Sequence, residues 1–562
     1  MPNTRLFLIV AIGAVGFLLW QQWQIDYGQP AAPRTAQPTV GQDVNPAADG
    51  TVPSVAPPSQ SGSDTPSLPP PSSGGRTPDP ADGGQVIRIT TDVLDVEIST
   101  TGGELQHATL LEYPLELKTP EAKVELLHTD SSRYFVAQSG LVSSTHTSAD
   151  HRQPFIASRN EYRLGDGDDE ILVPLTWEAD GITVTKTYRF QRGSYQIQVD
   201  QAVSNASDKA WVGSPYRQLQ RVQPFIDDDS FTNPARYSFL GAALYNPEDK
   251  YEKFEFEDLG RGERRESANA WAAMVQHYFV TAWIPPQQEN QVLEAARVPS
   301  TDRFLVRATG PAATVAPNEN GYFPATLFVG PKLQDRLETL APGLELTVDY
   351  GIFTPLSKVL YWLLEKIHAL TGNWGWAIVF LTVLVKAVFF KLSEAQYKST
   401  AKLRKLQPRI QSLKERYGDD KQKFNMAMME IYKTEKVNPL GGCLPILVQI
   451  PVFFALYWVL LESVELRQAD FMLWINDLSS PDPYFVLPII NGAAMYMTTK
   501  LSPNPAADPM QQKIFQAMPL IFAVMFAFFQ AGLVLYWTVN AVLSLAQQWV
   551  ITRRIDAADS SG

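Results

Sequence analysis

Apolar runs divide the chain into two unlike parts. Residues 351–552 hold several runs near the ~20 apolar residues that a bilayer-crossing helix needs, whereas residues 24–350 hold none. One earlier run, residues 6–20, follows Arg5 and ends in tryptophan. It predicts an uncleaved membrane anchor over residues 1–23, with the N-terminus inside. We therefore predict a membrane protein with one large soluble domain.

Alternating apolar and polar residues predict β-strands over residues 86–350. Residues 182–190 and 195–203 place apolar side chains at every second position, with a tight turn at residues 192–193. A similar alternation over residues 344–350 predicts a last strand. The pattern favours one large antiparallel β sandwich.

The stretch before this domain has a different composition. Residues 24–85 are mostly Pro, Ser, Gly, Ala and Thr. Such a segment cannot bury enough apolar surface to offset its chain entropy, so we predict a disordered tether.

Two features of the β domain could carry chemistry. His146, Asp150 and His151 could ligate a metal, but they lie in a polar stretch without the spacing of a metal site, so a solvated loop is favoured. The aromatic residues over 271–283 could line a ligand groove, although packing in the core is the better interpretation. We expect no metal and no cofactor.

After the β domain the apolar period becomes helical. In residues 355–368, Lys358, Tyr361, Glu365 and His368 fall on one face and leucines fill the other. We predict an amphipathic helix over residues 351–371, lying on the outer membrane interface.

The next apolar run, residues 372–392, contains a lysine. A cation at the centre of a membrane span costs roughly 2.5 to 3.5 kcal/mol. Lys386 could reach the headgroups by snorkelling. Thr382 lies one helical turn earlier on the same face, which favours a functional polar stripe.

A basic insertion, residues 391–442, follows this run. It holds twelve Lys and Arg against six Asp and Glu, a net charge of +6, which places it in the cytoplasm. Apolar residues with 3,4 spacing on both sides of residues 418–420 predict an antiparallel helical hairpin, and Pro408 predicts a kink or a restart. The basic faces are either solvated or in contact with lipid headgroups or ribosomal RNA.

Three further apolar stretches complete a polytopic α-helical bundle. They are residues 444–461, 485–498 and 514–551, the last split in two at residues 530–532. The result is six spans, five of them in a core over residues 372–552, with both termini inside and a short tail over residues 553–562. Polar side chains recur in these spans: Thr382, Lys386, Gln449, Asn491, Asn540, Ser544 and Gln548. Each alone could join helices, but together they predict a hydrated groove at membrane depth.

Composition narrows the function classes. The net charge of −12 comes largely from the first half of the chain and says little about nucleic acid. The single cysteine, Cys443, excludes an intrachain disulfide and a CxxC site. No paired carboxylates or nucleophile motif indicate an enzyme. A transporter or channel with a ligand-binding outer domain, and an envelope enzyme acting on saccharides, remain alternatives.

The membrane part contains three long motifs: NWGWAIVFLTVLVKAVFFKLSEAQY, EKVNPLGGCLPILVQIPVFFALYWVLLESVELRQADF and DPMQQKIFQAMPLIFAVMFAFFQAGLVLYWTVNAVLSLAQQ. All three resemble the YidC/Oxa/Alb family of membrane-protein insertases. The resemblance implies that residues 86–350 form the periplasmic all-β supersandwich of the Gram-negative members. It also implies an inner-membrane protein that inserts and helps fold other membrane proteins without a nucleotide.

The family resemblance also assigns roles to residues. A groove residue that is usually arginine matches Lys386, and groove positions fall on Thr382 and Trp537. The cytoplasmic hairpin is implied to receive substrate or ribosome, through Arg404, Lys405, Arg409, Lys414 and Arg416. Implied partners are nascent inner-membrane proteins, the Sec translocon, the ribosome (weakly, because the tail is short) and the phospholipid bilayer, with the chain acting as a monomer.

Overall fold

The computed structural model describes residues 84–224, 238–417, 420–435, 444–501 and 509–560. The predicted anchor and nearly all of the predicted tether lie outside these residues. The chain divides into two compact units, one ending at Val348 and the other beginning at Asp349.

Within the described residues, twenty strands build the first unit. They are β1 (Val86–Thr90), β2 (Leu94–Ser99), β3 (Glu104–Glu116), β4 (Thr119–Leu127), β5 (Phe135–Ser143), β6 (Ile156–Ala157), β7 (Glu161–Arg163), β8 (Glu170–Ala179), β9 (Ile182–Gln191), β10 (Gln196–Asn205), β11 (Trp211–Val222), β12 (Gly241–Asn246), β13 (Lys250–Phe254), β14 (Glu263–Ser267), β15 (Trp271–Val275), β16 (Phe279–Ile284), β17 (Gln291–Arg297), β18 (Arg303–Thr309), β19 (Ala313–Val315) and β20 (Asn320–Pro331). One short helix, α1 (Gln334–Leu340), follows them.

The strands form two large sheets. An 11-stranded sheet has the order β14-β17-β18-β11-β5-β3-β2-β1-β7, with β19 on β11 and β4 on β3. A 9-stranded sheet has the order β13-β12-β15-β16-β20-β10-β9-β8-β6. The strands are paired antiparallel throughout the described part, except that β1 and β7 are parallel. This confirms the predicted antiparallel β sandwich.

Strand alternation produces the core, because successive side chains point to opposite faces of a sheet. Ile182, Val184, Tyr188 and Phe190 of β9 are all buried, and their polar neighbours face outward. The β9–β10 hairpin turns at residues 192–195, as predicted.

The tryptophans of residues 271–283 also belong to the core. Trp271 and Trp283 are buried, and the indole N–H of Trp283 donates to the carbonyl oxygen of Gln218, 3.0 Å away. The core-packing interpretation is therefore confirmed.

Two predictions for this unit are wrong. Residues 344–350 contain no strand: Leu344–Thr347 is a 3₁₀ turn that buries Leu344 and Thr347, three positions apart. Gly343, with φ +75°, starts this turn, and short alternation cannot distinguish it from a strand. The prediction of a solvated loop is wrong for Asp150 and His151: both side chains are buried, and the His151 ring lies 2.6 Å from the Tyr216 hydroxyl, whereas His146 is partly exposed. Within the described residues no group of His, Cys, Asp and Glu could hold a metal ion.

A lysine lies fully buried between the sheets. The Lys186 ammonium donates to the carbonyl oxygens of Gly102 (2.6 Å) and Ser139 (2.7 Å). Burial lowers the pKa of Lys186 to about 7, while the nearby carboxyl groups of Glu104 and Asp150 oppose the shift. The same burial raises the pKa of Glu104.

The buried lysine predicts a pH dependence of stability. The unfolded chain keeps the ordinary lysine pKa of 10.5 and so binds one more proton than the folded chain above pH 7. The free energy of unfolding of the β unit should therefore rise by roughly 2 kcal/mol between about pH 7 and pH 9. Urea unfolding followed by circular dichroism at both pH values measures this rise. Lys186→Met should abolish it and Lys209→Met, at an exposed site, should keep it; an equal rise in Lys186→Met would contradict the assignment.

Nine helices build the second unit within the described residues. They are α2 (Thr354–Thr371), α3 (Trp374–Val388), α4 (Phe390–Lys405), α5 (Gln407–Tyr417), α6 (Lys421–Thr434), α7 (Leu444–Glu462), α8 (Val486–Leu501), α9 (Pro509–Phe526) and α10 (Ala531–Ser560). The last apolar stretch divides between α9 and α10 next to residues 530–532, as predicted. Helix α10 packs against α3, α4, α7 and α8.

The predicted count of six spans is not confirmed. No single helix in the described part of the chain combines the length and the apolar composition needed to cross a membrane. The helices Trp374–Val388 and Phe390–Leu403, bent by 64° at their junction, meet both criteria only as a pair.

Helix α2 confirms the predicted amphipathic helix, but its buried face differs from the predicted one. Tyr361, predicted on the polar face, is buried, and its hydroxyl donates to Glu465 at 2.7 Å. Val359 and Trp362 are about half exposed instead. The apolar period of 3.6 residues predicts the helix correctly, but Tyr361 lies on the buried side, where its hydroxyl bonds the Glu465 carboxylate.

The basic insertion forms the predicted helical hairpin. Its apolar core joins Leu406 and Ile410 to Met428 and Tyr432. Helix α5 restarts at Gln407, immediately before Pro408, because proline is well accommodated in the first turn of a helix.

Candidate functional site: a polar groove among four helices

A groove of about 720 Å³ lies among α7, α8, α9 and α10. Its lining is Phe453, Phe454, Tyr457, Asn491, Met495, Thr498, Thr499, Phe522, Met525, Phe526, Phe529, Trp537, Asn540, Ala541 and Ser544. The lining is therefore an aromatic wall interrupted by a few polar groups. Such a surface can take apolar side chains and hydrogen-bond a polar chain segment at the same time.

Lys386 lies beside this groove. Its half-buried ammonium donates to the Ser544 hydroxyl at 2.7 Å, linking α3 to α10 across 158 residues. The Ser544 hydroxyl in turn donates to the carbonyl oxygen of Asn540 at 2.6 Å. The cation is held at the polar edge of the groove, and its remaining N–H bonds are suited to an anionic or carbonyl group.

A second polar contact joins the same edge to α7. The Gln449 amide N–H donates to the Asn540 side-chain oxygen at 3.4 Å. Gln449, Asn540 and Ser544 thus form one polar line. Asn491 also lines the groove, from α8, and is almost fully buried.

Four predicted groove residues lie outside the lining: Lys386 and Gln449 border it, whereas Thr382 and Gln548 are covered by packing. Thr382 is buried in helix packing, and its hydroxyl donates to Ile378 of its own helix at 2.7 Å. Gln548 is buried one turn beyond Ser544 on α10. Both share the polar face with groove residues, but packing covers them.

Trp537 belongs to the aromatic wall. Its ring stacks on Phe526 of α9 at 4.0 Å between centroids and on Phe453 of α7 at 5.4 Å. Sequence reasoning missed the aromatic and methionine residues of the wall because it searched for polar residues inside apolar runs. The helical spacing of Phe522, Phe526 and Phe529 in the sequence is the signal that could have found them, although Phe529 lies just beyond the end of α9.

The connector over residues 463–485 closes one end of this helix cluster. Asp482 accepts hydrogen bonds from the backbone N–H groups of Tyr484, just before α8, and of Leu487 in its first turn. The backbone N–H groups of Ala531 and Gly532 at the start of α10 donate to residues 480 and 478. The helix starts are therefore tied into one polar cap.

The predicted hairpin contacts are only partly described. Arg409 pairs with Glu435 at 2.6 Å, and Arg416 is exposed. The side chains of Arg404, Lys405 and Lys414 lie outside the described part of the chain.

Two family models and several named relatives match this chain. Residues 86–363 match the family model of the YidC periplasmic domain, and residues 366–558 match that of the 60Kd inner membrane protein. A membrane protein insertase YidC from Methylococcus capsulatus is 48% identical over 99% of both chains, and one from Nitrosococcus oceani is 47% identical over 99% of both chains. A solved structure of an active YidC insertase covers 83% of this chain and 92% of its own, with 19% identity and a TM-score of 0.38.

These relatives define the class as membrane protein insertases, which are not named as enzymes. Within that class, the chain belongs to the YidC family. The resemblance that the three motifs indicated is thereby confirmed.

Proposed function

We propose that this chain passes segments of inner-membrane proteins through the groove and releases their apolar parts into the bilayer. The observation that supports this most directly is the Lys386–Ser544 pair, which holds one cation at the edge of an aromatic groove. The polar line lowers the cost of bringing a short hydrophilic segment to membrane depth. The aromatic wall offers an apolar surface to the rest of the client.

The driving force needs no nucleotide. Burial of a client's apolar segment stabilises the inserted state by about 25 cal/mol per Å² of apolar surface. The membrane potential adds ~2.3 kcal/mol per charge per 100 mV for acidic residues that move outward. The Lys386 ammonium would attract those acidic residues while they cross.

We propose a topology of six spans with both termini in the cytoplasm. This topology places the β unit in the periplasm. The connector over residues 462–483 carries five carboxylates against one arginine, and the insertion over residues 391–442 carries a net charge of +6. This asymmetry follows the positive-inside rule.

We also propose the partners of the insertase. The basic hairpin would meet emerging chains, with weak ribosome contact, and the protein would act as a monomer alone or beside the Sec translocon. Lysine in place of arginine at position 386 keeps the charge but loses the planar fork, so contacts to carboxylates would be less directional.

The central test is insertion of a small single-span client into liposomes. Lys386→Arg should insert the client at a rate near wild type. Lys386→Ala should lower the insertion rate by about tenfold or more, because the client loses a hydrogen bond to a charged group. Ser544 still donates to Asn540 in either variant, so the fold should persist. Lys391→Ala, at a highly exposed site nearby, is the matched control. Normal insertion by a folded Lys386→Ala would contradict the proposed role of the cation.

The same liposomes separate insertion from transport. A transporter or channel would release a trapped small solute at a rate that depends on the protein. The insertase proposal expects client insertion without such release.

A further inference from the structure

Asn491 differs from its polar neighbours in the groove. It is 1% exposed, yet its side-chain oxygen has no hydrogen-bond partner among the described residues. By contrast, the hydroxyls of Thr498 and Thr499 donate to carbonyl oxygens of their own helix at 2.9 Å. Ser544 both accepts and donates.

Helix packing does not explain this carboxamide. Thr538 of α10 holds α8 by donating to the carbonyl oxygen of Leu487 at 3.2 Å, one turn before Asn491. Gly492 brings α8 close to α9, where an added Cβ would lie 2.7 Å from the Ala523 Cβ. The backbone at Asn491 is therefore positioned by other residues. A buried acceptor without a donor is costly, so its place in the groove lining points to a ligand that donates.

We infer that Asn491 hydrogen-bonds the main chain of the client, at the first turn of the client's apolar helix. This inference rests on the proposed function. The first four N–H groups of any helix have no partner within it, and asparagine is among the residues that best accept from them. Asn491 thus caps the client helix from outside while the aromatic wall holds its apolar side chains.

This geometry has a consequence for client range. Every client has the same main-chain N–H groups, whereas side chains differ from client to client. A cap on the main chain positions a segment without reading its sequence.

The test combines a change in the protein with a change in the client. Wild type, Asn491→Leu and Asn491→Ser are reconstituted with a single-span client made by in vitro translation. In a second series, single backbone amides in the first turn of the client's apolar segment are replaced by esters, which lack the N–H group. Thr538→Val is the matched control, because it removes a buried hydroxyl that already has partners.

The expected result is a loss that depends on the client N–H group. Asn491→Leu should keep or raise the melting temperature and lower insertion of the all-amide client about fivefold, and Asn491→Ser should restore part of the rate. One ester client should insert equally slowly with wild type and Asn491→Leu. Thr538→Val should lower the melting temperature without this client dependence.

Two results would overturn the inference. One is insertion of the all-amide client by Asn491→Leu and Asn491→Ser at the wild-type rate. The other is that Asn491→Leu slows insertion by the same factor for every ester client and for the all-amide client, which would indicate a change of groove shape. Wild type and Lys386→Arg still insert in both cases, so the proposed function would stand.

Discussion

Lys386→Glu is expected to block insertion of clients with acidic outer segments and to impair neutral clients much less. Two unit charges 4 Å apart interact by about 4 kcal/mol at an effective dielectric constant of 20, so reversing one sign changes the interaction by about twice that amount. If a mobile client experiences a quarter of this change in interaction energy, its insertion rate falls by about thirtyfold.

The measurement compares two clients that differ only in the outer segment, one with acidic residues and one with their amides. Insertion rates of both are determined with wild type and Lys386→Glu in the same liposomes. Lys391→Glu reverses a charge five residues away, outside the groove lining, and should affect both clients weakly. Equal losses for the two clients with Lys386→Glu would refute attraction by charge.

Gly375→Val is expected to destabilise the helical unit by about 3 kcal/mol or more. An added Cβ at Gly375, in the first turn of α3, would lie 2.0 Å from the Phe471 ring. That ring cannot move aside easily: it contacts Trp376, and Asn373 donates to the backbone oxygen of Phe471 at 2.9 Å. The overlap should detach the connector from the helix that carries Lys386.

Thermal unfolding and the insertion rate at 37 °C measure this effect together. Phe471→Ala in the same chain should recover much of the stability, because it removes the ring that the valine meets. Gly372→Ala tests backbone strain alone, since φ is +65° and no atom lies within 4 Å of the added Cβ. A Gly375→Val protein as stable as wild type would show that the connector adapts.

Local periodicity accounts for what could be predicted of the fold. The alternation in β9 and the 3,4 spacing in the hairpin each arise from the geometry of one element, so the sequence displays them directly. The same holds for Asn540 and Ser544, which share one face of α10. A split apolar stretch is also visible locally, at residues 530–532.

The sequence by itself determined the β sandwich, the helical hairpin, the polar faces of the helices and the family. Only the tertiary structure decided that Lys386 bonds Ser544, that Lys186 is buried between two carbonyl oxygens, and that an aromatic wall faces the polar line. It also buried Tyr361 and left the Asn491 oxygen without a donor among the residues that the structure describes. These contacts join elements far apart in the chain, and their energies depend on packing that no local pattern records.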